Sequence, residues 1–234
     1  ILGSDSHTRY GAVGTMGIGE GGGEIAKQLL GRTYDLNRPP VIAVVLRGAP
    51  RPGVGPMDVA LAMIAKTFKN GFNKNKILEV LGPGVANLSM EYRMGIDVMT
   101  TESAALSSIW VTDEKTRTWL EKHGRPEEYH KLAPAGVTCY DGLIEIDLDK
   151  VECMMALPYH PSNALPIREF KADPAKYLAE VEAEGNKIKG ERGKPFHIMD
   201  KLRPDGLHID QALVSGCAGG MFENLSAMAD ILKG

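Results

Sequence analysis

The 234-residue sequence contains no apolar run approaching the ~18 residues of a membrane span, and no charged-then-apolar leader precedes its first motif. A soluble, cytoplasmic protein is expected, with no membrane partner. Charge of one sign is also missing. Lys+Arg 27 against Asp+Glu 30 leaves a formal net charge of -3, with the basic residues dispersed. That removes the electrostatic footprint of a nucleic-acid binder and favours a small-molecule ligand. Cysteine is scarce: Cys139, Cys153 and Cys217 are odd in number and irregularly spaced, which excludes a disulfide framework and a two-by-two zinc pattern. Internal repeats, low-complexity tracts and an initiating Met are absent as well. The last of these leads us to expect an internal segment of a longer protein.

What is present is a chain with 43% hydrophobic residues, enough to bury a sizeable core in one large or two small domains. Its elements read as alternating strands and helices. Glu24 to Leu30 is a short helix stopped by Gly31, and Pro39-Pro40 forces an extended connection. Val41 to Leu46 and Ile77 to Leu81 are compact apolar strands, with a helix from Met57 to Phe68 between them. Ser89 is placed to cap a helix carrying Met90, Met94 and Met99, and Ile109 to Val111 reads as a third strand. A helix opens at Thr112-Asp113-Glu114 and stops at Gly124. After the Pro134 to Gly136 break, Leu143 to Leu148 alternates apolar and acidic residues like a half-exposed strand and is expected to open a new unit. Asp173 to Lys189 is a charged surface helix, Gln211 to Val214 a strand, and Met221 to Leu232 a helix.

Chemistry concentrates near the start. Gly3-Ser4-Asp5-Ser6-His7-Thr8 sets acid, hydroxyl and imidazole on consecutive positions before a glycine-dense turn. Consecutive side chains on a strand point to opposite faces, so these three converge on a ligand only where the chain leaves regular structure. The alternative is a turn in which they cap backbone groups. Glu79, among apolar strand residues, is costly to bury unpaired, and a nearby histidine is its natural partner. Cys217 lies at a glycine-rich strand-to-helix turn suited to ligation. Cys139 and Cys153 are expected to be small buried residues, and His160, His197 and His208 to be unpartnered. The run Gly17 to Gly22 satisfies GxGxxG, but no apolar strand precedes it and Glu20 would sit beside a pyrophosphate, so a dinucleotide fold is not expected.

Taken together these residues resemble the aconitase superfamily of iron-sulfur hydro-lyases, which includes the large subunit of isopropylmalate isomerase. The resemblance rests on Gly3 to Thr8, on Glu79-Val80-Leu81-Gly82-Pro83-Gly84-Val85, on Tyr140 to Ile146, and on Ser215-Gly216-Cys217, in the family's order. It implies an α/β fold of three-layer α/β/α domains with mainly parallel sheets. Residues 1–39 would end the first domain, 40–133 form the second, and 134–234 start the third. It implies that the parent protein removes and re-adds water on a hydroxy di- or tricarboxylic acid, using a 4Fe-4S cluster held by three cysteines with one iron open. Cys217 would be the first cluster ligand, the other two lying beyond Gly234, so the segment alone is expected to hold no cluster and to be inactive. Asp5 and His7 would orient the water or hydroxyl at the open iron, Ser6 would contact a substrate carboxylate, and Glu79 would interact with the imidazole. The base, a serine on a later domain, and a histidine acid upstream of Ile1 would come from the remaining domains of the parent. Gly216 and Ala218 replace the hydroxyl residues that usually flank the cysteine, which is expected to alter the cluster. Arg9 is expected to add positive charge toward the substrate. The competing reading is a non-catalytic relative that binds a carboxylate or RNA on the same scaffold without a cluster.

Overall fold

The computed structural model describes residues 1–233. The chain begins with two very short strands, β1 (Leu2–Gly3) and β2 (Ile18–Gly19), paired in parallel, and a helix α1 (Gly22–Leu29) with no buried residue. The frame follows: β3 (Val41–Arg47), α2 (Pro56–Thr67), β4 (Ile77–Leu81), α3 (Met90–Met99), β5 (Ser107–Trp110), α4 (Glu114–Lys122) and β6 (Gly142–Asp147). The four strands form one wholly parallel sheet in the order β5-β4-β3-β6, with Ile42 opposite Leu78 and Gly142. The class is mixed α/β with a mainly parallel central sheet, as the alternation of elements implied.

Local chemistry sets the helix starts. Gly55 N–H donates to Asp58 Oδ2 at 2.7 Å and Pro56 occupies the first turn of α2, where its missing N–H costs nothing. Ser89 caps α3 by accepting from Tyr92 N at 3.1 Å, and Asp113 caps α4 by accepting from Lys115 N and Thr116 N. The helices then bury Val59, Met63 and Ile96 against Ile42, Val44, Leu46, Leu78, Val80 and Trp110 on one face of the sheet. Ala12, from the N-terminal segment, joins this same core. The other face is less covered: Val45, Leu81 and Ile109 are half-buried and Leu143 is 55% exposed.

The rest of the chain adds an antiparallel pair, β7 (Met154–Ala156) and β8 (Ala164–Pro166), then α5 (Ile167–Ala172) and α6 (Pro174–Lys189) around Leu165, Phe170 and Leu178. Asp58 Oδ1 accepts from Met154 N at 2.6 Å and fixes this unit to α2. The hairpin of β9 (Leu202–Arg203) and β10 (Gly206–Leu207) leads to α7 (Gly216–Gly219) and α8 (Phe222–Lys233). Among the described residues no helix is long and apolar enough to cross a membrane.

Three sequence expectations differ from the structure. The segment after the Pro134 to Gly136 break re-enters the sheet, because β6 pairs along β3 from Gly142 to Asp147. Gln211 to Val214 is no strand; Leu213 is 78% exposed and the segment meets no strand edge, so its apolar residues have nothing to pair with. The third strand lies earlier, at Ser107–Trp110, because Ser107 and Ser108 are buried with hydroxyl partners that periodicity cannot reveal.

Candidate active site

Residues 5 to 8 form a tight loop. Thr8 N and Thr8 Oγ1 both donate to Asp5 O, at 2.9 and 2.7 Å, and His7 N donates to Asp5 Oδ1 at 2.7 Å. The loop presses against the glycines that follow: a side chain on Gly19 would overlap the Asp5 carbonyl oxygen, and one on Gly11 the Ser108 carbonyl. Gly17 and Gly19 of the GxGxxG run therefore serve the close approach of two backbone segments, whereas Gly21 and Gly22 face open space.

The imidazole of His7 is one-third exposed, and its Nε2 lies 3.1 Å from Glu102 Oε1, in the 3-10 turn Thr100–Ser103 that follows α3. Its Nδ1 faces Asp5 Oδ1 and Ser6 Oγ, each at 3.4 Å. Asp5 is otherwise open, its side chain 75% exposed, and Ser6 is also exposed. The loop thus presents a carboxylate, a hydroxyl and an imidazole to solvent, with a second carboxylate behind the imidazole fixing its orientation. The triplet acts as a turn, with Asp5 accepting from the backbone, and Asp5 also flanks the ring.

The carboxylate partner of His7 is Glu102; no hydrogen bond or ion pair joins His7 to Glu79 among the described residues. Glu79 sits in mid β4, level with Ala43 and Ile109, on the less covered face of the sheet. Its neighbour is Tyr140, whose buried hydroxyl lies beside the Glu79 carboxylate. Burial first, and the Glu79 charge second, push the Tyr140 phenol above its ordinary pKa. Glu102 is missed by sequence reasoning because Thr101-Glu102-Ser103 reads as an ordinary polar turn; only the pairing of segments 95 residues apart exposes its role.

Arg9 does not face the site. It is 8% exposed, and its guanidinium is spent on chain groups rather than on substrate charge. Beside it Asp97 is fully buried, accepting from Ala12 N and Trp110 Nε1, both at 3.1 Å, and from Ser108 Oγ. Burial raises the Asp97 pKa, opposed by these hydrogen bonds and by the Arg9 charge.

Cys217 is exposed on α7 and lines a largely apolar cleft with Pro56, Gly95, Leu213, Met228 and Ile231. Cys139 and Cys153 are exposed too, against expectation: neither lies on the core face of an element, and Cys153 Sγ reaches only Gly53 O at 3.4 Å. Among the described residues no three His, Cys, Asp or Glu side chains converge on a point where a metal would sit. His160 and His208 are partnered, the first stacked on Phe68 at 3.9 Å and the second 3.4 Å from Asp210.

The profile of the Aconitase family (aconitate hydratase) matches residues 1–234. The chain is 30% identical over 235 residues to the 3-isopropylmalate dehydratase large subunit 2 of Rubrobacter xylanophilus, covering all of this chain and 47% of that protein. It is 30% identical over 235 residues to the large subunit 1 of the same enzyme from Thermotoga maritima, covering 48% of it. Against aconitate hydratase A of Thermus thermophilus it is 32% identical over 186 residues, 73% of this chain and 20% of the other. The chain spans about half the length of the dehydratase subunits it matches. A family match along all its residues, with the acid-hydroxyl-imidazole loop held against a carboxylate as its chemical feature, places the chain in the aconitase family.

Proposed function

We propose that this chain is part of a hydro-lyase that removes and re-adds water on a hydroxy di- or tricarboxylic acid. The observation that carries the reading is the His7 Nε2 to Glu102 Oε1 pair at 3.1 Å, set behind an exposed loop bearing Asp5 and Ser6. A carboxylate hydrogen-bonded to one imidazole nitrogen fixes the ring's tautomer and leaves the other nitrogen to exchange a proton with a ligand. With Glu102 accepting from Nε2–H, Nδ1 is the nitrogen that faces Ser6 and Asp5. His7 and Asp5 would hold the departing or entering water, and the Ser6 hydroxyl would donate to a substrate carboxylate. In this scheme Glu102 takes the role that sequence reasoning gave to Glu79.

A 4Fe-4S cluster, when bound in the whole protein, would supply Lewis-acid stabilisation of the hydroxide that leaves. Cys217 is the residue of this chain that would ligate it. The glycines and Ala218 around Cys217 leave it without side-chain hydroxyls to bond the cluster sulfurs. The proton-abstracting base and the remaining ligands would come from other domains of the parent chain. The relatives named dehydratase large subunits make a hydroxy dicarboxylate the first substrate to try.

The test is a dehydration screen of hydroxy di- and tricarboxylates on the full-length protein after anaerobic reconstitution, following ultraviolet absorbance of the unsaturated acid. Turnover of one of them, with a loss of about 10²-fold or more in His7→Asn, is the expected result. A reconstituted protein that dehydrates none, or a His7→Asn variant at wild-type rate, overturns the reading.

A further inference from the structure

The His7–Glu102 pair joins two segments far apart in sequence, and neither segment is rigid by its own construction. Residues 5 to 8 are a loop, and Thr100–Ser103 is a single 3-10 turn. Between them lies the guanidinium of Arg9. Its Nη1 donates to Thr8 O at 3.0 Å, on the loop that carries His7. Its Nε donates to Thr100 Oγ1 at 3.3 Å and its Nη2 to Thr101 Oγ1 at 2.8 Å, on the turn that carries Glu102, and Nη2 also donates to Ala105 O at 2.9 Å, just after that turn. Thr101 Oγ1 in turn donates to Ser6 O at 2.5 Å. The residues gripped thus flank the pair on both sides: Ser6 and Thr8 around His7, and Thr101 next to Glu102.

We infer that Arg9 is a positioning residue, a buried clamp that fixes the His7 imidazole against Glu102; the catalytic meaning of this rests on the function proposed above. Three features support the role. Arg9 is 8% exposed, so its charge is unavailable to substrate. A planar fork with five donors on fixed vectors can satisfy acceptors on both segments at once, which an ammonium cannot do in the same geometry. The clamp is also anchored: the buried Asp97 carboxylate supplies the opposing charge and is itself tied to Ala12 N, Trp110 Nε1 and Ser108 Oγ. A displacement of about 1 Å between a catalytic histidine and its orienting carboxylate is enough to lower turnover 10²-fold, so holding the two segments in register has direct chemical consequence.

The experiment is nitrogen-15 spectroscopy of histidine-labelled full-length protein, with the His7 signals assigned by their loss in His7→Asn. The ring-nitrogen shifts report the tautomer, and solvent exchange of Nε2–H reports the contact with Glu102. Glu102→Ala gives the signature of a released ring. Arg9→Lys keeps charge and stem but lacks the fork. The expectation is that its His7 signals move most of the way to those of Glu102→Ala, while the His160 and His208 signals stay in place. His7 signals at wild-type positions in folded Arg9→Lys overturn the clamp. If Arg9→Lys does not fold, the isosteric Thr101→Val, which removes the link between Arg9 Nη2 and Ser6 O, is read by the same two outcomes. The spectra need no substrate, so absence of hydro-lyase activity would sink the functional reading and leave the clamp standing. Where turnover exists, Arg9→Lys is expected to lower kcat about tenfold with KM little changed.

Discussion

At its C-terminal end α3 meets residues 5 to 12 through a buried network: Arg9 on Thr100 and Thr101, Ala12 N on Asp97, and Trp110 and Ser108 on the same carboxylate. At its N-terminal end it meets α8 through two polar contacts at the surface. Ser89 Oγ donates to Glu223 Oε2 at 2.6 Å, and Glu223 N donates to Glu91 Oε2 at 2.7 Å. Around the second end, Phe222, Ile231 and Leu232 are more than 75% exposed. One helix therefore meets both segments, but the His7–Glu102 pair is assembled wholly within the described residues, whereas the Cys217 end offers one exposed thiol on a short, lightly packed helix. The difference teaches that the setting of the His7 imidazole against its carboxylate is built within this stretch of chain, whereas the surroundings of Cys217 are not.

The largest effect is expected from Cys217→Ser in the full-length protein: complete loss of cluster iron and brown colour, with the thermal midpoint of the apoprotein unchanged because the thiol is exposed and packs into no core. Iron analysis beside calorimetry checks this, and unchanged iron content would remove Cys217 from the ligand set.

Next comes the frame that both ends share. Arg93, fully buried in mid α3, donates to Asp113 Oδ1 and Oδ2 at 3.0 and 2.5 Å and to Val85 O at 3.0 Å, tying α3 to the cap of α4. Arg93→Met is expected to cost about 3 kcal/mol in urea unfolding, the low end for a broken buried pair because Asp113 keeps contact with water. Burial alone would raise the Asp113 carboxyl, but its bonds to Arg93 and the Arg93 charge outweigh it and hold the pKa below the ordinary value. A depressed folded value means stability that is present above about pH 4 and lost as pH falls through that folded value. The acid limb of the stability curve should therefore flatten in Arg93→Met. An equally steep acid limb in the variant would assign the loss to other carboxylates.

The smallest effect sharpens which carboxylate serves His7. Glu79→Gln is expected to leave turnover near wild type and to lower the titration midpoint of Tyr140, since removing the Glu79 charge removes one of the influences that raise it. Difference absorbance of tyrosinate, assigned with Tyr140→Phe, reads the shift. A turnover loss as large as that of His7→Asn would restore Glu79 to the site and dissolve the contrast drawn with Glu102.

The sequence was most legible where local physics and tertiary context agree. β3 and β4 are apolar runs bounded by Pro and Gly, and α2, α3 and α4 begin at a glycine with proline behind it, a serine and an aspartate; these were readable to within a residue or two. Asp5, Ser6 and His7 were identifiable as a candidate cluster because acid, hydroxyl and imidazole stand on consecutive positions beside a glycine-rich turn, with a capping turn as the alternative. The strand expected at Gln211 to Val214 failed for the complementary reason: β-propensity without a neighbouring strand edge provides no hydrogen-bond partner.

By itself, then, the sequence determined the alternation of strands and helices, the helix caps, the acid-hydroxyl-imidazole loop and the isolation of its three cysteines, all of which depend on neighbours within a few residues. Only the tertiary structure decided that β6 returns to the edge of β3, that Arg9 turns inward between two segments, and that the partner of His7 is Glu102 and not Glu79. These follow from where the sheet order and the Asp97 network bring residues some ninety positions apart, and long-range register leaves no trace in local composition.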